Sequence, residues 1–318
     1  MLGRLFRTPA PTVAVAIGSG HVAAVQIVRR GKDPRLGAHA RVALPAGAVT
    51  PAVTGPNIAD ADAVVTALDA ALGELPRRPA RLALLLPDSA AKVSLVRFAS
   101  VPARRSDLRE LIRWQIRKAV PFPVDDAQIA CAPGRRTSAG EQEFVVAVAR
   151  REVVEEYEQV CARAGAHAGL VDLVGFNLIN AALLPETVPD PGDWLLVHVA
   201  SGATTLAVVR DGQPLLFRHV AQDGDRIADL VHQTAMYYED RLGGGVLARA
   251  LVTGEALVDE RTPAGDTVRR VVEERFGTAV EPLAARLTSL LPDPGGADPA
   301  LLDALAAPIG VLLRERRA

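Results

Sequence analysis

Two short turns hold the residues whose types and spacing are best suited to chemistry. Gly18-Ser19-Gly20-His21 follows the apolar run Val13-Ala14-Val15-Ala16-Ile17, and Ser201-Gly202-Ala203-Thr204 follows Leu195-Leu196-Val197-His198-Val199-Ala200. A turn of small residues between two strands lets backbone N–H groups converge on an anion, as phosphate-binding nests do. Two such turns facing each other across a cleft would hold the phosphates of one nucleotide, although two ordinary hairpins would carry the same residues. Other chemistry finds little support. The six histidines are scattered, with no HExxH or His/Cys cluster. Cys131 and Cys161 are too few for a disulfide framework and lack metal spacing, and their apolar surroundings read as core.

The elements that must position these turns follow from hydrophobic patterning. Each turn leads into a second strand and then a hairpin signal, Arg30-Gly31-Lys32 in the first case and Asp211-Gly212 in the second. The unit recurs after about 180 residues, which indicates duplicated domains, because a solenoid repeats every 20–50 residues. The first half predicts strands at 13–17, 22–29 and 39–44, a helix over 60–75 stopped by Pro76, and an almost fully apolar strand at 81–86. Residues 92–165 form a segment of different texture: a strand at 93–98, then a helix N-capped by Ser106 and ended by Pro121 and Pro123. A hairpin at 127–132 and 143–149 follows, and then a helix over 152–164 with Gly165 as its stop. A strand at 168–173 and a helix at 175–184 return the chain to the first domain, and 185–193 is a linker. The second half repeats the plan, with strands at 195–199, 204–210 and 215–220, a helix over 226–242, and a buried strand at 248–253 reaching Gly254. Further helices are expected at 267–275 and 300–316.

At 318 residues the chain has room for two domains with sizeable cores, and a hydrophobic content of 49% is that of a folded protein. A net charge of −1 gives no reason to expect nucleic acid or an anionic membrane as the main partner. No apolar run reaches the ~20 residues of a spanning helix, and the start reads as a basic, apolar stub (Leu2, Leu5, Phe6, Arg4, Arg7) rather than a signal peptide. A cytoplasmic protein is expected.

The strand–Gly/Ser–strand unit, present in both halves, resembles the actin-like ATPase fold of actin, Hsp70 and the sugar kinases. Other stretches narrow the resemblance. RSDLRELIRWQIRKAVPFPVDD, residues 105–126, is similar to the segment of the type IV pilus assembly protein PilM family in which an ExIRWE-like helix ends in IPFPxDE. HQTAMYYEDRLGGGVLARALVTGEA resembles that family's long helix, glycine turn and strand leading to a double-glycine adenosine loop. MLGRLF and ALAAPIGVLL also match in position and character. The resemblance implies an α/β fold of duplicated actin-like (ribonuclease H-like) domains with an inserted ββα-type subdomain. Domain one would be 1–91 and 166–188, the insert 92–165, and domain two 189–318. It implies a cytoplasmic member of the pilus inner-membrane platform that binds the N-terminal cytoplasmic tail of a PilN-like membrane protein, in a groove between domain one and the insert. It also implies contact with the pilus assembly ATPases. Candidates for the groove are Arg109, Arg113, Trp114, Arg117 and Phe122, with core packing as the other reading of Trp114 and Phe122 and a solvated helix face as that of the arginines.

ATP and Mg²⁺ are implied by the family, but the positions that would hold them are altered. The Asp expected before each turn is Ala16 in one case and His198 in the other, Ala200 replaces an expected glycine, and Ala23 stands where many members have Lys. The double glycine is Gly254-Glu255, which sets a negative charge beside the expected nucleotide. Alanine does not ligate Mg²⁺, and neutral imidazole is a poor ligand for it. The nucleotide cradle left is Gly18, Ser19, Gly20 and His21 on one side, Ser201, Gly202, Ala203 and Thr204 on the other, and Gly254 at the base. A scaffold without ATP hydrolysis is the leading expectation. A nucleotide-dependent enzyme, for which only Asp223 and Asp225 lie near the second turn, a type II secretion component and a filament-forming protein stay open.

Overall fold

In the computed structural model, residues 11–30, 33–184, 192–221, 226–254, 263–288 and 298–314 are described. The expected Arg30-Gly31-Lys32 turn, the N-terminal stub, Asp223, Asp225 and Glu255 fall wholly or partly outside them.

The duplication is realised strand for strand. In the first half β1 (Val13–Ile17), β2 (His21–Arg30) and β3 (Asp33–Ala43) form an antiparallel meander, to which β4 (Arg81–Leu86) and β8 (His167–Leu173) add in parallel, in the order β3-β2-β1-β4-β8. In the second half β9 (Trp194–Ala200), β10 (Ala203–Arg210), β11 (Gln213–Ala221), β12 (Arg249–Thr253) and β13 (Val280–Pro282) give the same sheet, β11-β10-β9-β12-β13. The β10–β11 hairpin closes through Asp211 and Gly212 at φ 54° and 71°, the positive pair a two-residue hairpin turn requires.

Successive side chains of a strand point to opposite faces, so each sheet feeds two cores. Val13, Val15 and Ile17 pack with α1 (Ala61–Gly73) and α3 (Arg151–Arg163). Ala14 and Ala16 face α4 (Val174–Ala182) and α8 (Pro299–Leu313) in a core that also takes in Leu196, Ala207, Val209 and Leu251 of the second sheet and α7 (Leu283–Leu287). The far face of the second sheet carries α5 (Ile227–Leu242) and α6 (Pro263–Phe276). The domains therefore share one apolar core. α8 and α4 cross so closely that a Cβ on Gly310 would sit 1.9 Å from the Asn177 carbonyl oxygen.

Two expected boundaries change. α8, assigned to domain two, lies against β1, β2 and β4 of domain one. The helix at 152–164, assigned to the insert, is α3, and Val153, Tyr157, Val160 and Cys161 belong to the domain-one core. The insert proper is a three-stranded sheet, β5 (Ala91–Phe98), β7 (Gln142–Arg150) and β6 (Ala127–Arg136) in the order β5-β7-β6, covered by α2 (Arg105–Ile116). Ile112 and Ile116 of α2 pack on Phe98, Phe144 and Val146. Ser106 is not the N-cap of α2. The helix begins two residues earlier than that cap would give, at Arg105 after Arg104, and the Ser106 hydroxyl donates to Asp107 at 2.8 Å. Cys161 is buried as expected, but Cys131, on edge strand β6, is exposed.

Candidate functional site

The two turns do face one cleft between the domains. Gly18, Ser19, Gly20 and His21 line one wall, Ser201 and Gly202 the other, and Gly254 the base, around a volume of about 180 Å³. Ala203 and Thr204 do not reach it. They open β10 and are buried in the sheet, and strand alternation hands the cleft position to Thr205. Ala16, His198 and Ala200 sit where the expected acids and glycine would be, and all three line the cleft. The buried Nδ1 of His198 has no hydrogen-bond partner among the described residues.

Two carboxylates that sequence reasoning passed over supply the cleft's polarity. Asp88 follows β4 in Pro87-Asp88-Ser89, at the C-terminal end of a parallel strand, where open α/β sheets place their ligand crevices. It is 4% exposed. Its Oδ1 accepts the Gly175 N–H at 2.9 Å and its Oδ2 the Thr205 hydroxyl at 2.8 Å. With that proton spent on Asp88, Thr205 Oγ1 can only accept from His219 Nδ1, 2.8 Å away, and His219 Nε2 then accepts from the Ser89 hydroxyl at 2.9 Å. Burial holds the His219 pKa below its usual value, the Asp88 charge opposing and His198 and Lys92 adding to the shift, which suits this neutral tautomer. The chain of bonds runs from domain one through domain two and back.

Asp303 is the second carboxylate. It is the single charged residue of α8, a helix otherwise made of apolar residues, proline and glycine. Its Oδ1 accepts the Thr253 hydroxyl at 2.6 Å, and its Oδ2 accepts the N–H of Gly254 at 2.8 Å. Burial raises its pKa, while the Thr253 hydroxyl, His198, the Gly254 N–H and His21 pull it back. Gly254 itself, at φ 129°, packs so close to β9 that a Cβ would fall 1.9 Å from the Val199 carbonyl oxygen.

The candidate partner-binding residues separate. α2 turns Ile112 and Ile116 inward, and Trp114, on the opposite ridge, is 71% exposed, so core packing does not explain it. Arg117 is exposed on the same outer side. Phe122 is partly buried against the insert core. Arg113 is pinned to Asp125 at 2.6 Å and to the Val124 carbonyl. Arg109 and Arg113 line a groove of about 430 Å³ with Ile112, Gln128, Ile129 and Arg151. Gln128 and Ile129 also line a second groove of about 270 Å³, walled by Val154 and Glu158 of α3 and Leu173 of β8. The two meet at Gln128 and Ile129 of the edge strand β6, the first groove on the α2 face of the insert sheet and the second on the face toward domain one, and together they form a trough that wraps the β6 edge.

Comparison with known proteins places this architecture. A family model described as type IV pilus assembly protein PilM matches residues 14–240. The chain belongs to the PilM family. No curated protein matches it significantly. Among solved structures, a PilM–PilN type IV pilus biogenesis complex is 17% identical with a TM-score of 0.71, over 96% of this chain and 98% of that one, a likeness of fold. The cytoplasmic domain of EpsL, an inner-membrane component of the type II secretion system of Vibrio cholerae, is 11% identical with a TM-score of 0.49, over 76% of this chain and 81% of that one. The match to the PilM family spans the first domain, the insert and the second turn, so the actin-like ATPase fold is shown together with the duplication.

For ATP with Mg²⁺, which that superfamily implies, the residues present do not fit. Ala16 and His198 offer no carboxylate. The N–H of Gly254 is already taken by Asp303. The cleft's 180 Å³ falls below the ~300 Å³ of a small ligand pocket. Among the described residues no group of three or more His, Cys, Asp or Glu could hold a metal ion, and no helix is long and apolar enough to cross a membrane.

Proposed function

We propose that this PilM-family chain is a cytoplasmic scaffold at the inner-membrane platform of a type IV pilus. It would capture the N-terminal cytoplasmic tail of a PilN-like membrane protein and act without ATP hydrolysis, with the pilus assembly ATPases as further partners. The observation that carries this reading is the trough along β6. As an edge strand, β6 leaves one row of backbone N–H and C=O groups unpaired. On the domain-one side of β6, Ala147, Val154 and Leu173 give an apolar floor, and on the α2 side Ile112 and Ile129 lie beside a cationic rim of Arg109, Arg113 and Arg151. An extended tail would add to the β6 edge by main-chain hydrogen bonds and drop alternate side chains onto that floor, paying its ordering entropy on docking. Trp114 and Arg117 lie outside the trough and are left for another surface. The reading is supported by the family match and by the fold shared with a protein solved in complex with PilN.

The test is titration of a labelled tail peptide, followed by fluorescence anisotropy. Arg109→Glu is expected to weaken binding about tenfold, the equivalent of ~1.4 kcal/mol, with the melting temperature held. Ile129→Asp is expected to weaken it at least as much while lowering the melting temperature, because Ile129 packs on the insert core. Trp114→Ala leaves the affinity unchanged. Full affinity in both trough variants, or loss only in Trp114→Ala, would move the tail site off β6.

A further inference from the structure

The cleft is crossed at every level by the chain's own groups. Asp88 of domain one meets Thr205 of domain two, Ser89 meets His219, and Asp303, on a helix seated against the domain-one sheet, meets Thr253 and Gly254 at the end of β12. Phe176 of α4 stacks on Phe217 of β11 with centroids 4.8 Å apart. The two carboxylates act alike. Each accepts a glycine N–H (Gly175 or Gly254) at a strand's C-terminal end, and each also accepts a threonine hydroxyl (Thr205 or Thr253). Of these donors Thr205 and Gly254 line the cleft, where a bound oxyanion would otherwise use them.

We propose that Asp88 and Asp303 are internal replacements for a nucleotide's anionic groups: they occupy the donors at the base of the cleft and hold the two domains closed with no ligand bound. A closed actin-type frame ordinarily needs a ligand that binds both halves, since only a group with contacts to both stabilises the closed arrangement. Here the bridging contacts are covalently part of the chain, so closure is permanent and needs no nucleotide. Asp303 excludes an anion twice, by consuming the Gly254 N–H and by placing a second acceptor where phosphate oxygens would have to enter. The inference deepens the no-hydrolysis half of the proposed function and rests on observations separate from those that carry the tail trough.

The experiment combines hydrogen–deuterium exchange with calorimetric titration of ATP and Mg²⁺ into the full chain. In the wild type, the amides of Gly175 and Gly254 are expected to be protected, and ~1 mM ATP with Mg²⁺ gives neither heat nor added protection. Asp303→Ala leaves a buried N–H and a hydroxyl without their acceptor, and exchange at Gly254 should rise about tenfold or more. Asp88→Ala should do the same at Gly175. Asp303→Asn, nearly isosteric, serves where the alanine variant fails to fold. Nucleotide binding by the wild type with a Kd below ~100 µM, or unchanged exchange in the folded Asp303 and Asp88 variants, overturns the inference. Tail-peptide affinity measured on the same samples separates that failure from failure of the trough.

Discussion

Asp193 offers the sharpest energetic test of how domain two is assembled. It precedes β9, is 7% exposed, and its carboxylate takes hydrogen bonds from Arg210 Nε at 2.6 Å, Arg210 Nη2 at 2.5 Å and the Tyr238 hydroxyl at 2.6 Å. Its carbonyl accepts the Ala248 N–H at 2.7 Å, so one residue joins β9, β10, α5 and the approach to β12. Asp193→Ala strands the Arg210 guanidinium, 27% exposed, and the Tyr238 hydroxyl, whose residue is 1% exposed. Removing one partner of a buried pair costs ~3–5 kcal/mol, and the residual exposure of Arg210 argues for ~3 kcal/mol. At ~2–4 °C per kcal/mol, the melting temperature falls by ~6–12 °C. The pH dependence has a definite sign. Burial alone would raise the Asp193 pKa, but the hydrogen bonds from Arg210 and Tyr238 and the Arg210 charge outweigh it and hold the value below the ordinary one. Its stabilisation is therefore present above the unfolded value of ~3.9 and is lost as pH falls through the folded one. The gap in melting temperature between wild type and Asp193→Asn should be constant from pH 7 to ~5 and narrow progressively as pH falls below ~4. A gap that does not narrow at all between pH 5 and 2, or an alanine variant within ~0.5 kcal/mol of wild type, would refute the reasoning.

Two further outcomes are expected. Gly310→Ala should destabilise by ~3 kcal/mol in calorimetric melts, at the upper end of overpacking, because the clash is with the Asn177 carbonyl of a packed helix rather than with a yielding side chain. Cys131 should alkylate readily at pH 8 in the native protein, while Cys161, its thiol pushed up to about 12 by burial and the nearby Glu158 charge, should label only on unfolding, as read by mass spectrometry.

The elements were legible in the sequence wherever a local rule fixed them. The Asp211-Gly212 turn, the Gly243 cap at φ 62°, the capping of α1 by Asp60 through the Ala63 N–H and the fully buried β4 all follow from residues a few positions apart. What was not legible depended on distant partners. α8 reads as part of domain two because it follows it in the chain, yet its apolar faces are used by β1, β2 and α4. Cys131 and Val146 sit in equally apolar stretches, and only the position of β6 at the sheet edge separates an exposed side chain from a buried one. Asp303 carried a signal, a lone acid in an apolar helix, which few sequences tolerate without a buried partner. Asp88 carried another, an acid directly after a fully apolar parallel strand. Attention to the turns alone passed over both.

The altered cleft and the trough bear on each other through the frame they share. Among the described residues β6 pairs with β7 alone, and the insert sheet is joined at its root to domain one by the chain entering from residues 88–90 and leaving into α3, with β11 of domain two lying against β5 and β6. The entry point is Asp88-Ser89-Ala90, the same residues that tie domain one to Thr205 and His219. A cleft that opened and closed with a ligand would move this root and the α3 wall of the trough relative to domain two. A cleft fastened by its own carboxylates keeps the root in place. On the proposal that closure does not depend on a ligand, the frame would serve as a fixed support for the β6 edge.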